Sequence, residues 1–270
     1  MERWSLEEAY DAYPRTEEEF EVALDETLSP RGPEMLFDLV ADLGYERGAR
    51  VLDVGCGEGR HSIQLGEKFA FQVTGIDPVE RHVELSTVAL AERPDLSNIV
   101  EFRLGAAEAI PASDSSVDLI WCVDVLSHIE SVDVVSAEFR RVMREHGRVL
   151  VYSMMGTGRL EPREAEWLWR TMGVVPTSAD PSLVEHGFEA GGLEVDQRIV
   201  IGTEWGEWIE EESGKASRKL IHAARLLRDP ERYIERFGRS GYEIMLADCH
   251  WAVYGLIGKL SRHVWVLSRA

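Results

Sequence analysis

No stretch of the 270 residues runs through about eighteen apolar positions without interruption, which excludes a membrane-spanning helix. Cysteine is scarce: Cys56, Cys122 and Cys249 stand far apart, with no C-x-x-C spacing. That pattern argues against a disulfide framework and against a thiolate metal site, and it predicts reduced thiols in a cytoplasmic protein. Positive charge is also short. Lys and Arg total 29 against 49 Asp and Glu, a formal charge of −20. Such a surface repels phosphate backbones and anionic lipid, so neither nucleic acid nor a membrane is expected as a partner. The opening stretch, MERWSLEEAYDAYPRTEEEFE, has no basic start and no apolar segment, so no signal peptide is predicted. There is no internal repeat and no linker rich in Pro, Gly or Ser. A chain of this length with 44% hydrophobic residues can build one large core.

What is present is alternation. A helix is predicted over 5–28 and another over 33–45, the latter with Met35, Leu36, Leu39, Val40 and Leu43 on one face. Strands then read at 50–55, 72–77, 99–105, 117–123 and 147–154. Helices read between them at 59–69, 78–93 and 131–145. Alternating strands and helices imply βαβ units and a parallel sheet covered on both faces. After residue 155 the pattern changes to a short helix at 161–173, then helix, glycine break and strand over 183–202. A mostly helical excursion over 206–258 follows, broken at Pro230, Gly238 and Gly241, before a closing strand at 262–269.

The stretch VLDVGCGEGR, residues 51–60, joins a buried strand to three glycines in five positions. Gly55, Gly57 and Gly59 predict a sharp turn that something approaches closely. A strand, a glycine turn and a helix bring backbone N–H groups together at the carboxyl edge of a parallel sheet, where open α/β folds bind ligands. The spacing is Gly-x-Gly-x-Gly, and Arg60 stands where the dinucleotide fingerprint has its third glycine; no Gly-Lys-Ser/Thr follows either. Asp77 ends the second strand, in TGIDP, where a carboxylate can accept from a ribose diol. A ribose site without a pyrophosphate site fits an adenosine carrying something else. Asp53, inside the first strand, is a second acid that needs N–H donors or a cationic ligand group such as an ammonium.

VLDVGCGEG, VTGIDP, LGAAEAIPASDSSVDLIWCVDVLSHI and FRRVMREHGRVLV resemble, in order, the motifs of class I S-adenosylmethionine (SAM)-dependent methyltransferases, in the small-molecule branch that includes quinone-biosynthesis and natural-product enzymes. The resemblance covers roughly residues 33–155. It implies an α/β fold: a Rossmann-like, doubly wound, seven-stranded, mostly parallel sheet with the last strand antiparallel, plus a helical cap. The expected organisation is a single domain, with lid helices over 1–32, a SAM-binding core over 33–155, and C-terminal strands with the inserted cap over 156–270. It also implies the roles. Asp53, Gly55, Cys56, Gly57 and Gly59 would meet the methionyl part and ribose. Asp77 and Pro78 would hold the ribose. Ala106 and Ala107 would border the adenine, with Cys122 and Val123 beside the sulfonium. Ala106 departs from the family, which often has an acid there. The product would be S-adenosylhomocysteine (SAH), and the acceptor's oxygen or nitrogen would attack the sulfonium methyl.

Other residues carry two readings each. His128, just past the fourth strand, is a general base or a helix-start histidine bonded to backbone. Asp124 precedes it as a possible acceptor contact. Tyr10 and Tyr13 belong to a lid or simply to a packed amphipathic helix. Trp167, Trp169, Trp205 and Trp208 wall an acceptor pocket or staple cap helices to the core. His250 and Tyr254, at i and i+4, are an acceptor-facing pair or cap packing. His61 lies near the cofactor carboxylate, and Arg60 pairs with that carboxylate or with Glu58. The alternative to catalysis is a SAM-binding sensor or scaffold. Monomer and homodimer both remain open.

Overall fold

The computed structural model describes residues 5–26 and 29–270. Seven strands form one sheet: β1 (Arg50–Val54), β2 (Gln72–Asp77), β3 (Val100–Leu104), β4 (Val117–Val123), β5 (Met143–Gly156), β6 (Leu193–Gly202) and β7 (Leu260–Arg269). Their order is β3-β2-β1-β4-β5-β7-β6. The first five run parallel, and β7 enters antiparallel between β5 and β6. This is the doubly wound sheet with an antiparallel last strand that the sequence predicts.

Alternate residues of each strand face opposite cores. Leu52, Val54, Ile120, Cys122 and Val151 meet Val135 and Phe139 of α5 (Val132–Val142) and Val184 and Phe188 of α7 (Pro181–Ala190). Val51, Val73, Leu119, Trp121 and Leu150 meet Leu36 and Phe37 of α2 (Met35–Asp42) and Leu65 of α3 (Arg60–Phe69). Burial on both faces is why these strands read as unbroken apolar runs. Phe37 stacks on Trp121 with centroids 5.1 Å apart, worth about 0.5–1.5 kcal/mol beyond the area buried. Between β2 and β3 lies α4 (Glu80–Ala91).

The helix expected to reach Glu145 stops at Val142. Met143 turns extended (φ −72°, ψ 139°), is fully buried, and pairs with Val117. Arg144 then reaches Asp118 at 2.7 Å. A buried strand partner and an ion pair outweigh the helical pattern of VMRE.

The cap comprises α6 (Pro162–Met172), α8 (Glu204–Ser213), α9 (Lys215–Arg228) and α10 (Pro230–Leu256). Pro230 starts α10 at its first turn, and Gly238 breaks it with φ 76° and ψ 161°. Leu168 and Trp169 of α6 and Ala247 and Tyr254 of α10 pack with Met154 and Leu260, so the cap is seated on the carboxyl end of β5. The N-terminal segment is tied to the cap: Arg31 donates from Nε to Glu204 at 2.7 Å, and Gly32 lies so close to Trp208 that a Cβ would come within 2.5 Å of the indole. The expected helix over 5–28 is α1 (Leu6–Asp25), opened by a Ser5–Glu8 capping box. Its Leu6, Phe20, Val22 and Leu24 are exposed. Among the described residues, no helix is long and apolar enough to cross a membrane.

Candidate active site

The carboxyl ends of β1, β2 and β4 meet at the glycine loop. Gly55 and Cys56 donate to the Ile76 carbonyl at 2.8 and 3.0 Å, binding the loop to β2. All three loop glycines have positive φ, but they serve different ends. A Cβ on Gly55 would strike Val125 at 2.2 Å, and one on Gly59 would strike Phe102 at 2.5 Å and Ser86 at 2.9 Å. Those two are glycine because the protein itself packs there. Gly59 thereby takes over the close packing that the dinucleotide fingerprint assigns to its third glycine, and Arg60 is free to be large. Around Gly57 a Cβ would meet nothing within 4 Å. That is the open side of the loop.

Asp77 is buried and already engaged. Its Oδ2 accepts from the Gly57 N–H at 3.0 Å, and its Oδ1 accepts from the Val79 N–H at 2.9 Å and lies 3.1 Å from Nδ1 of His82. A carboxylate has roughly four acceptor sites, so room remains for a hydroxyl. Val79 and Leu104 leave apolar side chains exposed on either side of Asp77, Leu104 being its partner across β3. Pro78 lies between Asp77 and Val79. Sequence reading missed His82, Val79 and Leu104, because only the β2–β3 register and the first turn of α4 bring them to this edge. Ala106 forms an isolated bridge to Ala109, with Ala107 buried beside it.

Asp53 is buried on the α3 side, where Ser62 Oγ donates to it at 2.6 Å. Burial pushes its carboxyl up to about 7, against the Ser62 hydrogen bonds, and the nearby Asp77 adds to the rise. A cationic group is what this site lacks. Arg60 is exposed and, among the described residues, forms no ion pair, with Glu58 or any other. His61 instead turns to the core, edge-on to Trp121 at 5.4 Å, and burial lowers it to about 4. Cys56 and Cys122 are both pushed up to about 12 by burial and by Asp53, so both stay thiols at neutral pH. Cys249 packs separately between α9 and α10. Among the described residues no group of His, Cys, Asp and Glu could hold a metal ion.

Past Val123, Asp124 sits in the left-handed region at φ 60° and donates its N–H to Tyr152 O at 3.0 Å. Solvent reaches Asp124, although protein atoms crowd it on most sides. That crowding raises its carboxyl to about 6, while Arg262 and His128 hold it down. His128 lies in a single helical turn over Leu126–His128. Its Nδ1 is 2.8 Å from the Gly173 carbonyl at the end of α6. A carbonyl can only accept, so Nδ1 carries a hydrogen, and in the neutral ring Nε2 is the acceptor.

The other aromatic candidates gather elsewhere. Trp167 stands edge-on to His250 at 5.1 Å, and His250 to Tyr254 at 5.5 Å. They line a depression of about 300 Å³ that shares no residue with the β4 tip. Tyr254 donates to Glu164 at 3.1 Å, which Lys259 also contacts. Trp169 packs on Trp251, and Trp205 on Tyr152. Tyr10 is 74% exposed on α1, and the Tyr13 side chain lies outside the described residues. A larger concavity, about 670 Å³, opens at the opposite edge of the sheet beside Arg50, Gln72 and Val117. Ligands of open α/β sheets bind at the carboxyl ends, and no candidate residue lines it.

Residues 52–151 match the family described as a methyltransferase domain. Over 134 residues it is 31% identical to methyltransferase GfsG of Streptomyces halstedii, covering 50% of this chain and 48% of that protein. Over 111 residues it is 32% identical to 27-O-demethylrifamycin SV methyltransferase of Amycolatopsis mediterranei, covering 41% and 40%. The chain thus spans about half the length, or less, of these curated relatives. The matching proteins include O-, N- and C-methyltransferases. The fold is shared with phosphoethanolamine N-methyltransferase 2 of Haemonchus contortus in complex with phosphomonomethylethanolamine and SAH, at a TM-score of 0.67 and 18% identity, covering 89% of this chain and 53% of that one. The same Haemonchus contortus enzyme is also solved in complex with SAM, at a TM-score of 0.64 and 18% identity. The residues present in this chain fit SAM: an open-sided loop at Gly57, a carboxylate with spare acceptor capacity at Asp77, and a buried carboxyl short of a cation at Asp53.

Proposed function

We propose that the protein transfers the methyl group of SAM to an oxygen or nitrogen of a small-molecule acceptor, with His128 as the base. In this reading Asp77 holds the ribose hydroxyls. Asp53 faces the methionyl ammonium, and Arg60 its carboxylate. Val79, Leu104 and Ala107 border the adenine. An acid is missing at Ala106, which forfeits about 0.5–1.5 kcal/mol and leaves binding otherwise intact. SAM supplies an electrophilic methyl; the protein's part is to align the attacking atom and keep water out.

One observation carries the reading. The Gly173 carbonyl fixes the tautomer of His128, leaving Nε2 as a proton acceptor next to Asp124, just past the tip of β4. An alcohol or phenol needs such a group; a neutral amine does not, which favours oxygen. The test is incubation with methyl-labelled SAM and a small-molecule extract of the source cells. Label should enter a small molecule, and His128→Ala should slow that by about 10²–10⁴-fold with SAM affinity unchanged. Tight SAM binding without any transfer would instead support a sensor. Wild-type turnover in the variant would remove His128 from the chemistry.

A further inference from the structure

Arg262 is a charged residue in the interior of β7. The register of β7 on β5 sets it opposite Met154, two residues beyond Tyr152, and Tyr152 is level with Val123 at the tip of β4. Arg262 therefore stands at the ligand edge of the sheet, on the same face as Tyr152. It is 7% exposed. A guanidinium is seldom buried unless its donors are met, yet Nη1 has no hydrogen-bond partner.

The surroundings hold the group in place but leave Nη1 unpaired. Its guanidinium carbon lies 5.8 Å from the Trp205 ring centroid. A Cβ on Gly255 would come within 3.3 Å of both terminal nitrogens, so α10 closes over it at a glycine. Its charge opposes the rise that burial causes in Asp124, and its charge and a hydrogen bond to the Tyr152 hydroxyl oppose the rise in Tyr152. Among the described residues no ion pair joins Arg262 to Asp124. Arg262 and Asp124 thus stand near the edge that carries His128, each within reach of the other's charge. Trp205 and Tyr152, packed at 4.8 Å, put aromatic side chains beside the guanidinium.

We infer that Arg262 binds a carboxylate of the acceptor, so that the acceptor is an acid with a flat, unsaturated or aromatic body. The anion pairs with the unpartnered Nη1, the body lies along Trp205, and the opposite end faces Asp124 and His128. This rests on the methyl-transfer reading above. It also explains why a chain of net charge −20 keeps one buried cation short of a partner at this edge.

The test is calorimetry on the full chain saturated with SAH, using benzoate and cinnamate against benzamide and cinnamamide. Each acid should bind about tenfold or more tighter than its amide. Arg262→Gln should abolish the preference, and Arg262→Lys should keep part of it. SAH affinity, measured first in each variant, reports an intact fold. Acid and amide binding equally to the wild type, neither binding, or a preference that survives Arg262→Gln would overturn the assignment. Failure of the wild type to take up SAH would overturn the methyl-transfer reading, and this inference with it.

Discussion

At the scale of single residues, Asp53 and the loop glycines separate packing from binding. Burial has raised the Asp53 carboxyl to about 7. A cation arriving beside it favours the ionised form, so its pKa falls and a proton leaves. SAM affinity should therefore rise as pH increases towards neutrality. Titrations at pH 6.5 in buffers of different ionisation enthalpy should show roughly half a proton or more released per SAM bound; no release would place the ammonium elsewhere. Alanine in a left-handed position costs about 1–2 kcal/mol. Gly59→Ala adds a clash with Phe102 and Ser86, so it should lower the melting temperature more than Gly57→Ala. Gly57→Ala should instead weaken SAH binding, because its Cβ projects into the open side of the loop. Equal SAH affinity in wild type and Gly57→Ala would mean the ligand does not approach there. The sequence shows three glycines and cannot separate these duties, because the neighbours that crowd Gly55 and Gly59 come from other elements. The tautomer of His128 is hidden for the same reason: Gly173 is 45 residues away.

At the scale of elements, the sheet is legible and the cap is not. β1, β2 and β4 declare themselves as apolar runs between glycines and helices, because both their faces are covered. The end of α5 does not, since Met143 becomes strand through its pairing with Val117. Arg262 reads as an ordinary polar residue of a closing strand until the β5–β7 register places it. Trp167, His250 and Tyr254 do come together, but around a depression of their own. Leu6, Tyr10, Phe20 and Val22 of α1 are exposed, whereas α8 is pinned to the segment before α2 through Arg31–Glu204. We propose that α1 and the cap close on the loaded site, as lids that exclude water do. Amide hydrogen exchange in α1, α6, α8 and α10 should then slow when SAH binds. Slowing confined to residues 51–60 would show that α1 is no lid.

At the scale of the whole molecule, two cores on one sheet create a single carboxyl edge, and every candidate cofactor contact lies along it. The domain match over residues 52–151 covers that edge through β4 and most of β5. The antiparallel β7, which brings Arg262, lies outside the match. This division sets what can be read by likeness, the cofactor, apart from what must be read by geometry, the acceptor. The most direct measurement is thermal unfolding of the full chain with SAM, SAH or NAD at about a hundred times the SAH dissociation constant found by calorimetry. Ligand at that ratio adds about 2.7 kcal/mol, which should raise the melting temperature by roughly 5–10 °C for SAM and SAH. NAD should leave it unchanged, because the Gly-x-Gly-x-Gly spacing departs from the dinucleotide fingerprint. No shift with SAM or SAH, or an equal shift with NAD, would contradict the assignment of this edge to SAM.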